Sequence, residues 1–263
     1  MNDMKSKISL TPLIIFIGIL ILIIGSREWT TRILVAQDIT SYSAHHLFST
    51  GVNILMSVIA YLFIRKYQLQ SLAGIQKRKV THAWLLLYPV YLILINALFM
   101  DEIPTDHLFM NTVILLIYCI SIGYSEELSL RGFMQSYLIK AYGHSKKGIV
   151  FAVFSAGFVF GLLHLLKFDK GLYGEISQVF FALFIGVLFG ALLLRTKRLY
   201  PLIILHNLID FVAKLDGMGV STTIGGITKQ PTSLSSAIVT TLVVLPCLIF
   251  GILMLRKVSV EEL

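Results

Sequence analysis

Residues 176–194 read ISQVFFALFIGVLFGALLL, nineteen positions without an aspartate, glutamate, lysine or arginine, and Arg195 follows directly. A membrane-spanning helix needs about 20 predominantly apolar residues, because each residue adds about 1.5 Å across a hydrocarbon core about 30 Å thick. The stretch is therefore predicted to be a helix that crosses a lipid bilayer.

Similar apolar runs recur along the whole chain. They lie at residues 10–25, 47–64, 83–100, 148–166, 199–212 and 237–255, and a further long run starts at Leu108. No Ala-x-Ala cleavage site follows the first run, so it is interpreted as an uncleaved span rather than a signal peptide. The sequence predicts an all-α, polytopic membrane protein with about eight transmembrane helices, in a single integral-membrane domain over residues 1–263.

The composition supports this class. Hydrophobic residues make up 56% of the 263 positions and charged residues only 14%, with a mean hydropathy of +0.83. An average soluble domain carries about 25% charged residues, and a disordered chain combines low hydrophobicity with high charge. Both classes are therefore excluded. The net charge of +8 is assigned to loops at the membrane surface, so the lipid bilayer is the expected partner and nucleic acid is not.

The basic residues form clusters on alternate connections between the predicted spans. Counted from the amino terminus, all the clusters fall on one face of the membrane. They are Lys5 and Lys7; Arg65, Lys66 and residues 77–79; Lys146 and Lys147; Arg195, Lys197 and Arg198; Arg256 and Lys257. Because lysine and arginine accumulate in cytoplasmic loops, the sequence predicts a multi-pass cell-membrane protein with both termini in the cytoplasm.

Charged residues interrupt the long apolar run at residues 125–131, which read SEELSLR. An ionisable side chain inside hydrocarbon is costly, so each one is a candidate for function. Glu127 and Arg131 are four apart and share a helical face, where they can pair. Glu126 points about 100° away from Glu127 and is not expected to share its partner. The motif is either a solvated helix end or an anchored acidic pair in which Glu126 is a general base.

Two histidine motifs lie on later spans, Phe160-x-x-x-His164 and His206-x-x-x-Asp210. Each could simply be a hydrogen-bonded contact between packed helices. Both can approach Glu126 only if residues 108–142 form one long, tilted or broken helix, with a bend near Gly123. His45 and His46 lie beside a loop and are expected to be solvated.

In this order, the motifs EExxxR, FxxxH and HxxxD resemble those of the CPBP intramembrane proteases. That family is named for its CAAX endopeptidases and bacteriocin-processing (Abi) proteins. The resemblance covers residues 120–212 and implies a membrane-embedded active site in an endopeptidase. The substrate would be a membrane-associated peptide or protein tail: CAAX-type, a leader peptide, a pheromone or a bacteriocin. The site residues implied are Glu126, Glu127, Arg131, His164, His206 and Asp210.

The resemblance also implies a role for each motif. Glu126 and His164 would hold and activate a water, and Arg131 would orient the acidic pair through Glu127. His206 and Asp210 would stabilise the oxyanion or fix the geometry. An ionised aspartate cannot donate a hydrogen bond to an oxyanion, so Asp210 is expected to orient His206 or to ligate a metal.

The cofactor is left open between none and one divalent metal such as zinc. Glu126, His164, His206 and Asp210 are a possible nitrogen and oxygen ligand set for a metalloprotease. The compact His-Glu-x-x-His spacing of many zinc proteases does not occur in the sequence, which favours a metal-free water activated by glutamate.

Two other functions compete with the protease. A non-enzymatic bacteriocin-immunity or scaffold protein would need the helices but not the intact motifs. A transporter or proton relay would also place acids and histidines in the membrane, but it predicts repeat symmetry, which the sequence does not show. The oligomeric state is not determined by these features.

Overall fold

A computed structural model describes residues 9–167, 170–222, 232–261 and 263. The structure is 76% helical, and its described residues form no β-strand. Eight apolar helices are found in the described part of the chain. They are α1 (Thr11–Ala36), α2 (Tyr42–Lys66), α3 (Ala83–Leu98), α4 (Leu108–Tyr142), α5 (Lys146–His164), α6 (Gly171–Thr196), α7 (Tyr200–Ala213) and α8 (Leu234–Arg256). Each predicted apolar run overlaps one of these helices, so the all-α polytopic fold is confirmed.

Six of the helices are long and apolar enough to cross a membrane, whereas α3 and α7 are shorter. Helix α3 begins as a 3-10 helix at Ala83–Leu87 and becomes α-helical at Val90–Leu98. Helix α7 has 14 residues, a length of about 21 Å, which is less than the hydrocarbon thickness.

Helix α1 continues eleven residues beyond the predicted end of its apolar run at Gly25 and ends at Ala36. The hydropathy pattern fails here because Arg27 and Glu28 look like the start of a loop. In the structure their side chains bond to each other, with 2.9 Å between Arg27 Nη2 and Glu28 Oε1. The two charges end the apolar run in the sequence, but because they pair with each other they do not end the helix.

Helix α4 is one continuous 35-residue helix, as the convergence of the three motifs requires. It is α-helical over Leu108–Glu127, π-helical over Leu128–Gln135 and α-helical again over Ser136–Tyr142. Its hydrogen-bonding pattern therefore changes after the acidic pair and not at Gly123. Gly123 serves a different purpose, because Asn207 Oδ1 from α7 occupies the place that a Cβ atom there would need.

Helix α6 lies at the centre of the bundle and packs against α5 and α8. Small residues permit this close approach, as is usual between membrane helices. A Cβ atom added to Gly186 would lie 2.7 Å from Gly157 Cα in α5, and one added to Gly251 in α8 would lie 3.1 Å from Leu188 N. The Gly186–Gly157 contact sets how closely α5, the helix that carries His164, approaches α6.

The basic clusters of the described residues meet at one end of the bundle, which we call the basic end. There Lys140 Nζ donates to the carbonyl of Tyr67 over 2.8 Å, and Arg195 Nη1 donates to that of Lys257 over 2.9 Å. These bonds connect the ends of α2, α4, α6 and α8. We call the opposite end, where α1, α3, α5 and α7 finish, the cavity end.

Candidate active site

The acidic pair of α4 is anchored by an arginine, as the four-residue spacing predicts. Arg131 Nη1 donates to Glu127 Oε1 over 2.9 Å, and the side chains of Arg131 and Glu127 are 2% and 0% exposed. The guanidinium carbon of Arg131 lies 5.3 Å from the ring centroid of Phe160 and 5.5 Å from that of Phe189. The arginine is thus held by a carboxylate and two aromatic rings, which keeps its charge compensated inside the membrane.

His206 of α7 lies between the two glutamates. Its Nδ1 is 2.8 Å from Glu127 Oε1, and its Nε2 is 3.4 Å from Glu126 Oε2. The two glutamates thus share His206, while Arg131 pairs with Glu127. Their side chains do leave the helix in different directions, but an imidazole has two nitrogens about 2 Å apart and offers one to each carboxylate.

The charges of this cluster constrain its protons. Nδ1 of His206 donates to Glu127, because an ionised carboxylate oxygen only accepts. Nε2 lies 3.4 Å from Glu126 Oε2, a separation that allows one proton to be shared between the two groups. With that proton, Glu126, Glu127, Arg131 and His206 have a combined charge of zero, which lowers the cost of burying them.

His164 of α5 lies against the same cavity, half-buried. Its Nδ1 donates to the carbonyl of Phe160 over 3.0 Å, and the two rings are 4.9 Å apart in an edge-to-face arrangement. The spacing of the FxxxH motif therefore has a local explanation, because residues four apart meet on a helix. With Nδ1 occupied, a neutral His164 presents the lone pair of Nε2 as its remaining hydrogen-bonding group.

Asp210 makes a different contact from the one expected. Its Oδ2 lies 2.8 Å from Lys214 Nζ, one helical turn further along. The ring of His206 is oriented by Glu127 instead. The hypothesis that Asp210 orients His206 overlooked Lys214, which lies beyond the predicted end of the seventh span.

A cavity of about 600 Å³ joins these groups. Glu126, His164, His206 and Asp210 all line it, and the side chain of Glu126 is 28% exposed. The cavity is within the usual size range of sites that bind small molecules or short peptide segments. It brings the three sequence motifs together at one place, and Glu126 is the acid of the pair that is open to it.

The sequence interpretation missed several polar residues that line the cavity. His45 is buried and His46 is half-buried; His45 Nε2 is bonded to the carbonyl of Ile39 and His46 Nδ1 to that of Tyr42, at 2.7 and 2.8 Å. Their position at the start of a helix that faces the cavity is not visible in a hydropathy pattern. The other missed residues come from α1 and from the start of α6; they include Arg27, Glu28, Arg32, Glu175 and Gln178.

The proposed metal ligands do not form a metal-binding group in this geometry. Within the described segments, no three histidine, cysteine, aspartate or glutamate side chains lie close enough to hold one ion. Glu126 and His206 meet, but Asp210 faces Lys214 and His164 bonds to its own helix. The chemistry below is therefore derived from side chains and water alone.

Fold and site together define a polytopic membrane protein with acid, imidazole and guanidinium groups around a cavity between its helices. Residues 108–212 match the family described as Type II CAAX prenyl endopeptidase Rce1-like. The match includes all three motifs, so the resemblance to the CPBP and CAAX protease family is confirmed, and it supports a membrane-embedded protease of the CAAX type. No curated protein and no solved structure matches the chain.

Proposed function

We propose that the protein is an intramembrane endopeptidase that hydrolyses a peptide bond in a membrane-associated peptide or protein tail. The observation that carries the proposal is the position of Glu126. Its carboxylate is open to the cavity and lies against His206, while the neighbouring Glu127 is fully buried and tied to Arg131. The two acids therefore have separate tasks, one chemical and one structural.

In the proposed reaction, Glu126 takes a proton from a water that Nε2 of His164 holds in place. The resulting hydroxide attacks the carbonyl carbon of the scissile bond, and the carbonyl oxygen becomes an oxyanion. His206 donates from Nε2 to this oxyanion, while its Nδ1 stays bonded to Glu127. Protonated Glu126 then gives its proton to the leaving amine as the carbon–nitrogen bond breaks. One water is consumed, and an acid and an amine are produced.

Glu127 and Arg131 are proposed to position His206. A protonated imidazole in a pocket of low polarity needs a compensating charge, and Glu127 supplies it. Arg131 in turn holds the Glu127 carboxylate in place through their ion pair. Asp210 is proposed to help hold the cation of Lys214 at the cavity wall rather than to take part in proton transfer.

The test compares wild type with Glu126→Gln in proteoliposomes. The probe is a randomised peptide library with internally quenched fluorophores and one acyl chain. We expect Glu126→Gln to lower hydrolysis by about 10²–10⁴-fold, the range for loss of a general acid–base group, while Glu102→Gln, an exposed acid in the α3–α4 connection, leaves the rate unchanged. Equal hydrolysis by wild type and Glu126→Gln would contradict the proposal.

The same preparation tests the cofactor. We propose that activity persists after exhaustive chelation and that metal analysis of the active protein finds no stoichiometric ion. Loss of activity on chelation, with recovery on adding zinc, would replace the metal-free reaction with a metal-dependent one. If the motifs serve immunity and not catalysis, protection against a bacteriocin would survive a triple alanine variant at Glu126, His164 and His206.

The orientation is part of this proposal. The basic end is placed in the cytoplasm, because the basic connections of α2, α4, α6 and α8 meet there. The first residues of α1 lie at that end, since Tyr137 Oη donates to the carbonyl of Ser9 over 2.7 Å. Lys5 and Lys7, which also supported this orientation, lie outside the described residues.

A further inference from the structure

We infer that the cavity takes its substrate from the extracytoplasmic side, so that the peptide it cleaves is an exported or outer-leaflet peptide and not a cytoplasmic tail. This inference rests on the proposed function, because it concerns the substrate of the same site. It is carried by three independent features: where the cavity opens, what closes its other side, and how charge is distributed between the two ends.

The cavity opens to the outside of the bundle at the end where α1, α3, α5 and α7 finish. Arg32 at the end of α1, Lys170 at the start of α6 and Val220 in the segment after α7 all line it, and all three are exposed. Val220 has 52% of its surface accessible. Each of these residues lies on or beside a connection at the cavity end. A peptide that enters there meets Glu126 without crossing the packed core.

The opposite side of the cavity is closed by aromatic packing. Phe133 lies seven residues beyond Glu126 on α4, about 10 Å nearer the basic end. Its ring centroid is 4.5 Å from Phe16 of α1 and 5.0 Å from Phe63 of α2. Phe16 and Phe133 are completely buried, and Tyr137 extends the cluster, 5.5 Å from Phe133. These rings fill the path from the basic end to Glu126.

Charge distinguishes the two ends. At the basic end, lysine and arginine occupy five positions in residues 65–79, three in 140–147, three in 195–198 and two in 256–257, thirteen in all. The described residues at the cavity end carry five: Arg27, Arg32, Lys167, Lys170 and Lys214. At least two of the five pair with acids, Arg27 with Glu28 and Lys214 with Asp210. An excess of this size places the basic end in the cytoplasm, and the cavity end therefore faces outward.

The substrate class follows from this geometry. The cavity volume suits a short extended segment rather than a folded domain. A lipid-modified tail on the cytoplasmic surface would have to cross the aromatic cluster to reach Glu126. A peptide that has been exported, or that is held at the outer leaflet by its own apolar segment, reaches Glu126 directly.

The test uses two valines that are exposed at opposite ends, Val220 and Val80. Val80 is 39% exposed and lies beside Thr81, whose N–H donates to the carbonyl of Thr196 at the basic end. We expect a membrane-impermeant maleimide to label Val220→Cys on intact cells and Val80→Cys only after permeabilisation. The two native cysteines, Cys119 and Cys247, are buried and give the background in the unsubstituted protein. The reverse labelling pattern would overturn the inference.

A second measurement separates this inference from the proposed function. Each cysteine variant, in detergent, is coupled to a bulky polyethylene glycol maleimide, and hydrolysis of the acyl-peptide library is compared before and after coupling. We expect coupling at Val220→Cys to lower the rate at least tenfold and coupling at Val80→Cys to leave it within twofold. Inhibition only at Val80→Cys, or at neither position, would overturn the inference while the protease stands. Absence of hydrolysis in every uncoupled protein would refute the proposed function, and the labelling of intact cells would still decide the orientation.

Discussion

The two ends of the bundle use the same kinds of side chain in opposite ways. At the basic end, lysines and arginines are mostly exposed and several donate to backbone carbonyls, while aromatic rings fill the interior beneath them. At the cavity end, charged and imidazole groups lie inside the bundle and contact one another. The two ends differ because of burial: a charge in water needs no partner, whereas a buried charge is destabilising unless it is paired.

Removal of a buried cation and removal of an exposed one should give the largest contrast. Arg131→Met removes the cation that balances the fully buried carboxylate of Glu127 and leaves it bonded to His206 alone, and the loss of one partner from a buried ion pair typically costs about 3–5 kcal/mol. It should also abolish hydrolysis, because His206 loses its fixed orientation. Arg256→Met removes an exposed cation from the basic end and should change little. Thermal unfolding in detergent and the rate on the acyl-peptide library measure both effects.

A double variant shows whether the stability lost in Arg131→Met comes from the uncompensated charge of Glu127. Glu127→Gln combined with Arg131→Met leaves no buried charge uncompensated, so stability should return towards wild type while activity stays lost. If the double variant were as unstable as Arg131→Met alone, the arginine would be needed for its packing between Phe160 and Phe189 and not for its charge.

An intermediate effect is expected midway between the ends, where α5 meets α6. In Gly186→Ala the new methyl group would lie 2.7 Å from Gly157 Cα, and overpacking of this kind costs about 1–3 kcal/mol. The displacement of α5 would move His164, so hydrolysis should fall with stability. Gly51→Ala on α2 is the matched control, because nothing lies within 4 Å of its added methyl group. Equal behaviour of the two variants would show that the glycine contact does not position α5.

The smallest effect is expected at Asp210. Its side chain is 21% exposed and pairs with Lys214, which is 37% exposed, and pairs of this kind contribute about 0–1 kcal/mol. Asp210→Asn should therefore lower kcat/KM by no more than about threefold, a factor that corresponds to less than 1 kcal/mol. A loss as large as that of Glu126→Gln would instead place Asp210 among the groups that act on the substrate.

Much of the architecture could be predicted because the bilayer imposes a simple rule on helix length and hydropathy. The rule located the eight apolar helices of the described segments, and the four-residue spacing of Glu127 and Arg131 predicted their ion pair. The rule failed at the end of α1, since Arg27 and Glu28 face a polar cavity that the sequence does not display. Hydropathy describes the average surroundings of a segment and cannot distinguish a loop from a helix that lines a cavity.

The candidate site was predictable as a set of residues but not as a network of contacts. The order of the three motifs was enough to predict that Glu126, His164 and His206 lie close together, and all three line one cavity. The division of His206 between two glutamates depends on the relative depth and rotation of α4 and α7. The glycine at position 123, which lets Asn207 approach, helps to set that relation, and no periodicity within a single helix encodes it.

The π-helical segment of α4, Leu128–Gln135, has a consequence for how this helix could have changed during evolution. A π-helical turn accommodates an extra residue, so it resembles an insertion that the helix has retained at a functional site. Deletion of one residue in the segment would restore α-helical hydrogen bonding but rotate everything on one side by about 100° relative to the other. Glu126 and the Phe133 cluster could then no longer face their present neighbours together. A locally less regular backbone is thus what keeps the reactive half and the packed half of α4 in register.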